Sequence, residues 1–408
     1  MKNRIAINTA MLFLMNIAKL IFPFLTLPYL TRVLSVDGYA MVSYVKTTMQ
    51  YMQLIVDFGF LLSASTAIVN ACGDKRRIGE IVSNTILSKL FLSVASFAVL
   101  CVLCATIPLL RENLLYTLLS FGTVALSSFL VDYLFRGMEQ MQEITLRFVL
   151  MKGLATALTF VFVHSDMDVL WIPVLDMIGT VISLILVWLR VKKYGIIFVA
   201  PKLSVTWAQL KDSFRYFVSD IATTAFGALN TMLIGILLTT DQIALWSVAM
   251  QIISAVQVMY SPIINGIHPE MVRNKSLSLI KKTCKIFLPI VIIGCLAMYF
   301  LSDTAVLIVG GEKYLPASPI LRMLIPVLLF SFPGMLIGWP GLGAIGRVKE
   351  TTTSTIISAV FQCGGLVILI LLGQFSIVNI AILRCATEFV LLAARFVYCL
   401  RYRAEFNR

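Results

Sequence analysis

Hydrophobic and polar positions alternate most tellingly between residues 5 and 60. There two apolar segments carry charges at depths that a lipid-facing helix avoids. The first, Ile5 to Leu30, is long enough to cross a bilayer, since about 20 residues at ~1.5 Å each span ~30 Å of hydrocarbon. Lys19 lies in its middle, and Asn16, Lys19, Pro23 and Thr26 follow spacings of three and four that put them on one helical face. The second segment runs from about Ala40 to Phe60. Its Ser43, Lys46, Gln50, Gln53 and Asp57 form a similar stripe. A charge at bilayer depth costs ~2.5–3.5 kcal/mol even on an insertion scale, so such faces look into protein or water. The two stripes predict the lining of a hydrated pathway, with Asn16, Lys19, Lys46, Gln50, Gln53 and Asp57 as candidate substrate contacts.

The same pattern along the whole chain predicts twelve spans, roughly 5–30, 40–70, 84–108, 114–135, 148–164, 169–189, 214–238, 243–267, 284–302, 317–340, 352–373 and 377–399. Segments of that length must be helical, because lipid offers backbone groups no partners. The expected class is an all-α integral membrane protein. The connection at about 190–213 holds the amphipathic KLSVTWAQLKDSFRYF and splits the chain near its middle. It separates an expected N-lobe, 1–205 (spans one to six), from a C-lobe, 206–408 (spans seven to twelve). Aligning 34–53 with 238–257, an offset of 238 − 34 = 204, equates Leu34 with Leu238, Asp37 with Asp241, Ala40 with Ala244, Ser43 with Ser247 and Gln53 with Gln257. Six spans per repeat preserve orientation. The two lobes are therefore expected to be related by a pseudo-twofold axis along the membrane normal, with substrate between them. Lys46 and Asp57 align with Met250 and Ser261, which places the expected ligand chemistry in the first half.

Composition removes the soluble classes. The 408 residues are 59% hydrophobic and 13% charged, with mean hydropathy +0.94. A net charge of +13 would point to nucleic acid in a soluble protein. In a membrane protein it reflects Lys and Arg gathered in cytoplasmic loops, so no nucleic-acid partner is expected. With the N-terminus inside, 24 of the 33 basic residues, from Lys2 and Arg4 through Arg147 and Arg395 to Arg408, fall on the cytoplasmic side. Arg32, Arg111 and Lys313 fall outside, so both ends are expected in the cytoplasm. The N-terminal run lacks a small-x-small cleavage site and is expected to remain as the first span. The eight cysteines, Cys72 and the Cys101/Cys104 pair among them, sit mostly in apolar runs and predict no disulfide framework.

Further polar groups lie inside the spans. Lys89, with Thr85 and Ser96, either extends the lining or snorkels to the cytoplasmic edge. Asp132 and Arg136, and likewise Arg384 and Glu388, stand four apart and are expected to pair. Asp176, and Asp220 near Thr223, Thr224 and Asn230, are candidates for ion or proton coupling; a structural hydrogen bond or pairing with Lys152 is the plainer reading. Gly334, Gly338, Gly341, Gly343 and Gly346 with Pro333 and Pro340 predict a kinked or closely packed tenth span. No P-loop occurs, and neither His164 nor His268 belongs to an H-E-x-x-H, so no cofactor or metal is expected. Asp166-Met167-Asp168 matches the D-x-D of sugar transferases but is a weak, short pattern in a short outer loop. Outer loops this short leave no room for a folded catalytic domain, so a transporter is expected and not an enzyme.

At FPFLTLPYLTRVLSVDGYAMVSY (22–44) and YMQLIVDFGFLLSAST (51–66) the chain resembles the Wzx-type oligosaccharide flippases of the MATE-like polysaccharide exporter superfamily. Pro23, Phe24, Pro28, Tyr29, Arg32, Leu34, Asp57, Phe58 and Gly59 match that family's Pro-rich and D-F-G elements; Ser35 and Ala40 replace glycines common there. The resemblance is specific over about 5–90. It implies a two-lobed, monomeric flippase of the bacterial inner membrane. The flippase would move an undecaprenyl-diphosphate-linked oligosaccharide from the inner to the outer leaflet by alternating access, beside a polysaccharide polymerase and a chain-length regulator. It also implies a cationic cavity, which Lys19 and Lys46 suit. A cation-coupled drug exporter on the same fold is the alternative.

Overall fold

A computed structural model describes residues 2–71 and 73–406, with side chains placed outside 2–9, 12, 20, 219, 222–227, 265 and 269. Lys2, Arg4, Cys72, Thr223, Thr224 and Arg408 therefore lie outside the described side chains. Among the described residues there are helices and turns and no strand. The chain divides into two compact units, Met1–Ile221 and Ala222–Arg408.

The first unit holds α1 (Lys2–Val33), α2 (Val36–Asp57), α3 (Phe60–Asn70), α4 (Lys75–Thr106), α5 (Pro108–Glu112), α6 (Leu114–Ser127), α7 (Asp132–Gly137), α8 (Met141–Phe162), α9 (Trp171–Lys193) and the start of α10 (Leu203–Leu237). Helix α8 packs on both α1 and α9, while α2 packs on α4 and α6. Short polar residues set the helix starts. Ser35 Oγ accepts from the Gly38 amide at α2, and Asp74 accepts from the Arg76 and Arg77 amides at α4. A core of Phe60, Ile68, Val82, Leu134, Phe135 and Val191 closes the unit around α3, α4, α7 and α9.

The second unit holds the rest of α10, then α11 (Thr240–Val258), α12 (Ser261–Asn274), α13 (Leu277–Phe300), α14 (Ser302–Val309), α15 (Ser318–Leu336), α16 (Val348–Leu371) and α17 (Ile377–Arg401). Helix α15 is central, against α11, α13 and α17, with Leu321, Leu324, Val327 and Phe332 fully buried. It runs directly into a π-helical segment, Ile337–Gly343. That is the irregular helix which the glycines and prolines of the tenth span predict. The loop after it is held to the C-terminal tail by Arg347, which pairs with Glu405 and lies over the Tyr402 ring at 4.1 Å. The Glu405 hydrogen bond holds the Arg347 guanidinium above its usual pKa.

Helix boundaries recur at one spacing. Helices α1 and α10 end at Val33 and Leu237, and α2 and α11 begin at Val36 and Thr240. Helices α3 and α12 end at Asn70 and Asn274, and α6 and α15 begin at Leu114 and Ser318. Each pair is 204 residues apart, as in 237 − 33, the offset at which the two halves of the sequence align. Both second spans of the expected repeat are also broken, α2 from α3 at Phe58–Gly59 and α11 from α12 at Met259–Tyr260.

Eleven segments of described residues are long and apolar enough to cross a membrane, against the twelve expected; in α10 the described apolar part is the shorter Ala228–Leu237. Several helices start earlier than the apolar runs, α4 at Lys75 and not 84, α8 at Met141 and not 148. Hydropathy marks the lipid-facing stretch, whereas a helix continues through polar residues beyond it. Two arginines assigned to cytoplasmic ends, Arg147 on α8 and Arg395 on α17, are buried among helices of their own units. Arg136 does not pair with Asp132, because Arg147 reaches that carboxylate from α8.

Candidate functional site

The D-F-G element sits where α2 breaks. Phe58 and Gly59 both adopt left-handed backbone, with φ of 41° and 74°. Gly59 is needed twice, for its φ and because a Cβ there would lie 2.5 Å from Tyr216 Cβ on α10. Phe58 stacks on Phe217 of α10, with centroids 4.3 Å apart. Asp57, the last residue of α2, accepts from Lys89 Nζ at 2.8 Å and from Gln53 Nε2 at 2.9 Å, and Gln53 is in turn bonded to Ser127 on α6. The structure thus brings Gln53, Asp57 and Lys89 together. Lys89 is buried, so it does not snorkel. Asp220 on α10 lies within electrostatic range of Asp57. Because Lys89 takes Asp57, the carboxylate pairs with neither Lys19 nor Lys46.

Those two lysines are exposed, and neither makes an ion pair among the described residues. They have different neighbours. Lys19 on α1 lies over the Phe148 ring at 5.7 Å, within range of Asp132 and Arg147. Lys46 on α2 lies within range of Lys152 and Asp176. Lys152 on α8 and Asp176 on α9 form an ion pair of 2.7 Å, each side chain about a third exposed (37% and 34%). The pairing read as the plainer account of Asp176 is therefore present. Phe148 and Lys152 are one turn apart on α8, so one face of α8 meets both lysine neighbourhoods. Asn16 is half-buried and Gln50 exposed, with no hydrogen bond to a described residue. Lys152, which the stripes on α1 and α2 do not reveal, joins the site through tertiary packing.

In the second unit three sets of polar side chains are buried and bonded, while Arg322 and Asp303 pair nearer the surface at 2.7 Å. Arg384 and Glu388 pair at 2.8 Å, only 6% and 8% exposed, as their four-residue spacing predicts. Arg395 donates to the Gly334 carbonyl at 2.8 Å and to the Ser354 and Thr355 hydroxyls. Gln362 donates to Asn230 at 2.9 Å and accepts from Thr387, all fully buried. The sequence does not mark Gln362 or Thr387, since single uncharged polar residues on separate helices leave no periodic signal.

The remaining motifs are structural. Asp166 Oδ1 accepts from the Ser35 amide at 2.9 Å, and a Cβ on Gly38 would lie 2.2 Å from that oxygen. Asp168 accepts from the His164 amide and the Ser165 hydroxyl. The Asp-Met-Asp turn thus closes a loop against the α1–α2 corner. Tyr29 of the Pro-rich element donates to the Val163 carbonyl at 2.6 Å, at the end of α8.

A family model described as "Polysaccharide biosynthesis protein" matches residues 5–275, a stretch that includes both elements of the resemblance. The chain belongs to this family. A curated Shigella dysenteriae protein named "Putative O-antigen transporter" is 29% identical to this polysaccharide biosynthesis protein over 267 residues, 65% of this chain and 66% of that one. A protein of the same name from Escherichia coli K12 is 26% identical over 271 residues, 64% of this chain and 65% of that one. The match thus spans just under two thirds of each relative. Among solved structures, an inward-facing multidrug resistance MATE family transporter of the MOP superfamily aligns with TM-score 0.70 at 17% identity, covering 96% of this chain and 94% of that one. The lipid II flippase MurJ aligns with TM-score 0.68 at 13% identity, covering 97% and 87%. At such identities the likeness establishes the fold, an all-helical MATE-like membrane protein.

Proposed function

We propose that this polysaccharide biosynthesis protein is a flippase for an undecaprenyl-diphosphate-linked oligosaccharide, carrying it from the inner to the outer leaflet of the bacterial cytoplasmic membrane. The observation that best supports this reading is Lys46, an exposed ammonium within an apolar helix, with no ion pair among the described residues. A cation kept unpaired at such a place is costly unless an anion visits it. A lysine is a hydrated point charge that binds a diphosphate and also releases it. The lipid tail stays in the bilayer, while the sugars and diphosphate need a hydrated lining, which Asn16, Lys19, Lys46 and Gln50 supply. Relatives named for O-antigen transport and a fold neighbour named for lipid II flipping point the same way.

In this reading the chain has twelve spans in two lobes, works by alternating access and keeps both termini inside. Removing the buried Arg147 and Arg395 from the count leaves 24 − 2 = 22 inner basic residues against three outer ones. With the cytoplasm negative, outward passage of the anion gains ~2.3 kcal/mol per charge per 100 mV. A cation-coupled exporter is the second reading, favoured by the multidrug neighbour and by Asp220 beside the Asp57–Lys89 pair. One experiment separates them. A strain lacking the gene should accumulate one lipid-linked oligosaccharide on the inner leaflet and regain export with the wild-type chain but not with Lys46→Ala. Normal glycan export in the deletion strain, with lost drug resistance, would replace the first reading with the second.

A further inference from the structure

The Lys152–Asp176 pair differs from the Lys89–Asp57 and Arg147–Asp132 pairs of the first unit, and also from Arg190–Glu143, a longer 3.3 Å contact whose carboxylate is only 13% exposed. In Lys89–Asp57 and Arg147–Asp132 the cation is buried, at 7% exposure, and Asp57 is held by a second donor. In Lys152–Asp176 both partners are accessible, and a single 2.7 Å contact joins them. The second Asp176 oxygen accepts no hydrogen bond from a described residue. Lys46 stands within electrostatic range of both and pairs with neither. Two lysines and one carboxylate therefore lie within electrostatic range of one another, a group with one net positive charge carried by α2, α8 and α9.

Resting on the flippase reading above, we propose that Asp176 is an internal stand-in for the substrate's anion: Lys152 leaves Asp176 to join Lys46 on the diphosphate, and Asp176 takes Lys152 back when the substrate departs. The charges fit this exchange. Lys46 and Lys152 supply two positive charges to the two negative charges of a disubstituted diphosphate, and the freed Asp176 leaves the loaded site one charge negative, which favours release. Without a resident counter-ion, two such lysines would repel each other in the empty protein and hold the product too firmly in the loaded one. A partly exposed ion pair held by one contact contributes on the order of 1 kcal/mol, so a diphosphate making charge-assisted contacts displaces it readily. A more buried or doubly held pair, such as Asp57 with Lys89 and Gln53, is poorly suited to exchange.

The test is equilibrium binding of a short polyprenyl diphosphate to the purified full-length protein in detergent, alongside the polyprenyl monophosphate and phosphatidylglycerol. Export in cells is measured for the same variants. Wild type should prefer the diphosphate, and Lys152→Ala and Lys46→Ala should each weaken it. Asp176→Asn should bind it about two- to fivefold tighter, the factor set by losing an exposed pair, while exporting more slowly. Asp176→Glu should restore the wild-type balance. Tighter binding with slower export is a split that a merely structural Asp176 does not produce. If Lys46→Ala weakens binding but Asp176→Asn and Lys152→Ala leave it unchanged, the exchange is wrong and the flippase reading stands. Weaker binding in Asp176→Asn overturns the exchange as well. If Asp176→Asn fails to accumulate, the neutral pair Lys152→Gln with Asp176→Asn replaces it, and binding as tight as wild type in that pair overturns the role of Lys152. Equal affinity of wild type for phosphatidylglycerol and the diphosphate would overturn both readings.

Discussion

In the first unit two lysines of the apolar helices, Lys19 and Lys46, stand exposed without an ion pair among the described residues. In the second unit the buried cations are arginines: Arg384 lies against Glu388, and Arg395 is bonded to a carbonyl and two hydroxyls beside the π-helical segment. The halves share a spacing of 204 residues but not their charges. At that offset Lys46, Lys89, Lys152 and Asp176 meet Met250, Ile293, Ile356 and Ile380. Conversely Arg384, Glu388 and Arg395 meet Thr180, Leu184 and Val191. One scaffold has thus acquired two kinds of polar interior. A guanidinium offers five fixed donors and suits a permanent joint, whereas an ammonium on a flexible stem suits a ligand that comes and goes.

The sharpest way to break this contrast is to exchange the outcomes of mutation. Arg384→Ala strands Glu388 in a buried site and should cost about 3–5 kcal/mol, seen as loss of folded protein from the membrane. Arg384→Met with Glu388→Leu should recover most of the amount. Should Arg384→Ala accumulate normally, the second unit's pair is not a structural joint. Lys46→Ala should do the opposite: normal amount, with export reduced about ten- to a hundredfold, the cost of one charge-assisted contact of ~1.5–3 kcal/mol. Lys46→Arg should keep part of the activity, and export at the wild-type rate by Lys46→Ala would remove this residue from the pathway.

Smaller effects sharpen the comparison at the broken helices. Gly59→Ala should destabilise the first unit by about 1–3 kcal/mol, through its left-handed φ and the nearby Tyr216. In the second unit Gly266 faces open space, so Gly266→Ala should leave the thermal melt of the purified protein unmoved. A shift in the second equal to the first would show that the break in α2 has no special geometry. Smallest is Asp166→Ala, which removes the acceptor for the Ser35 amide and should lower stability by about 0.5–1.5 kcal/mol in the same melt.

The helical class is legible in the sequence because long apolar runs must be helical in lipid, and the 204-residue offset because residues match at that spacing, whereas the break at Phe58–Gly59 is seen only in the fold. The Arg384–Glu388 pair is legible for a related reason, since four residues make one turn. Pairings between helices are not. Asp132 goes to Arg147 and not to Arg136, and Asp57 goes to Lys89, because a carboxylate at a helix end meets whichever cation the packed neighbour presents. Lys152 illustrates the same limit. Its pairing with Asp176 depends on α8 lying against α9, which no local spacing encodes.

The contacts of Tyr29, Ser35 and Gly38 have a mechanical consequence. Tyr29 hooks the end of α8, Asp166 hooks the Ser35 amide, and Gly38 makes room for it. Together they buckle four helices, α1, α2, α8 and α9, at one end. At the far end of α2, the break at Phe58–Gly59 is held against α10 by the Phe58–Phe217 stack. Tyr29 belongs to the sequence signature by which the chain is recognised, and Ser35 and Gly38 follow directly after it. That stretch of the signature is therefore a record of hardware and says little about freight. Substitutions at Tyr29, Ser35 or Gly38 are therefore expected to act on the packing of this corner.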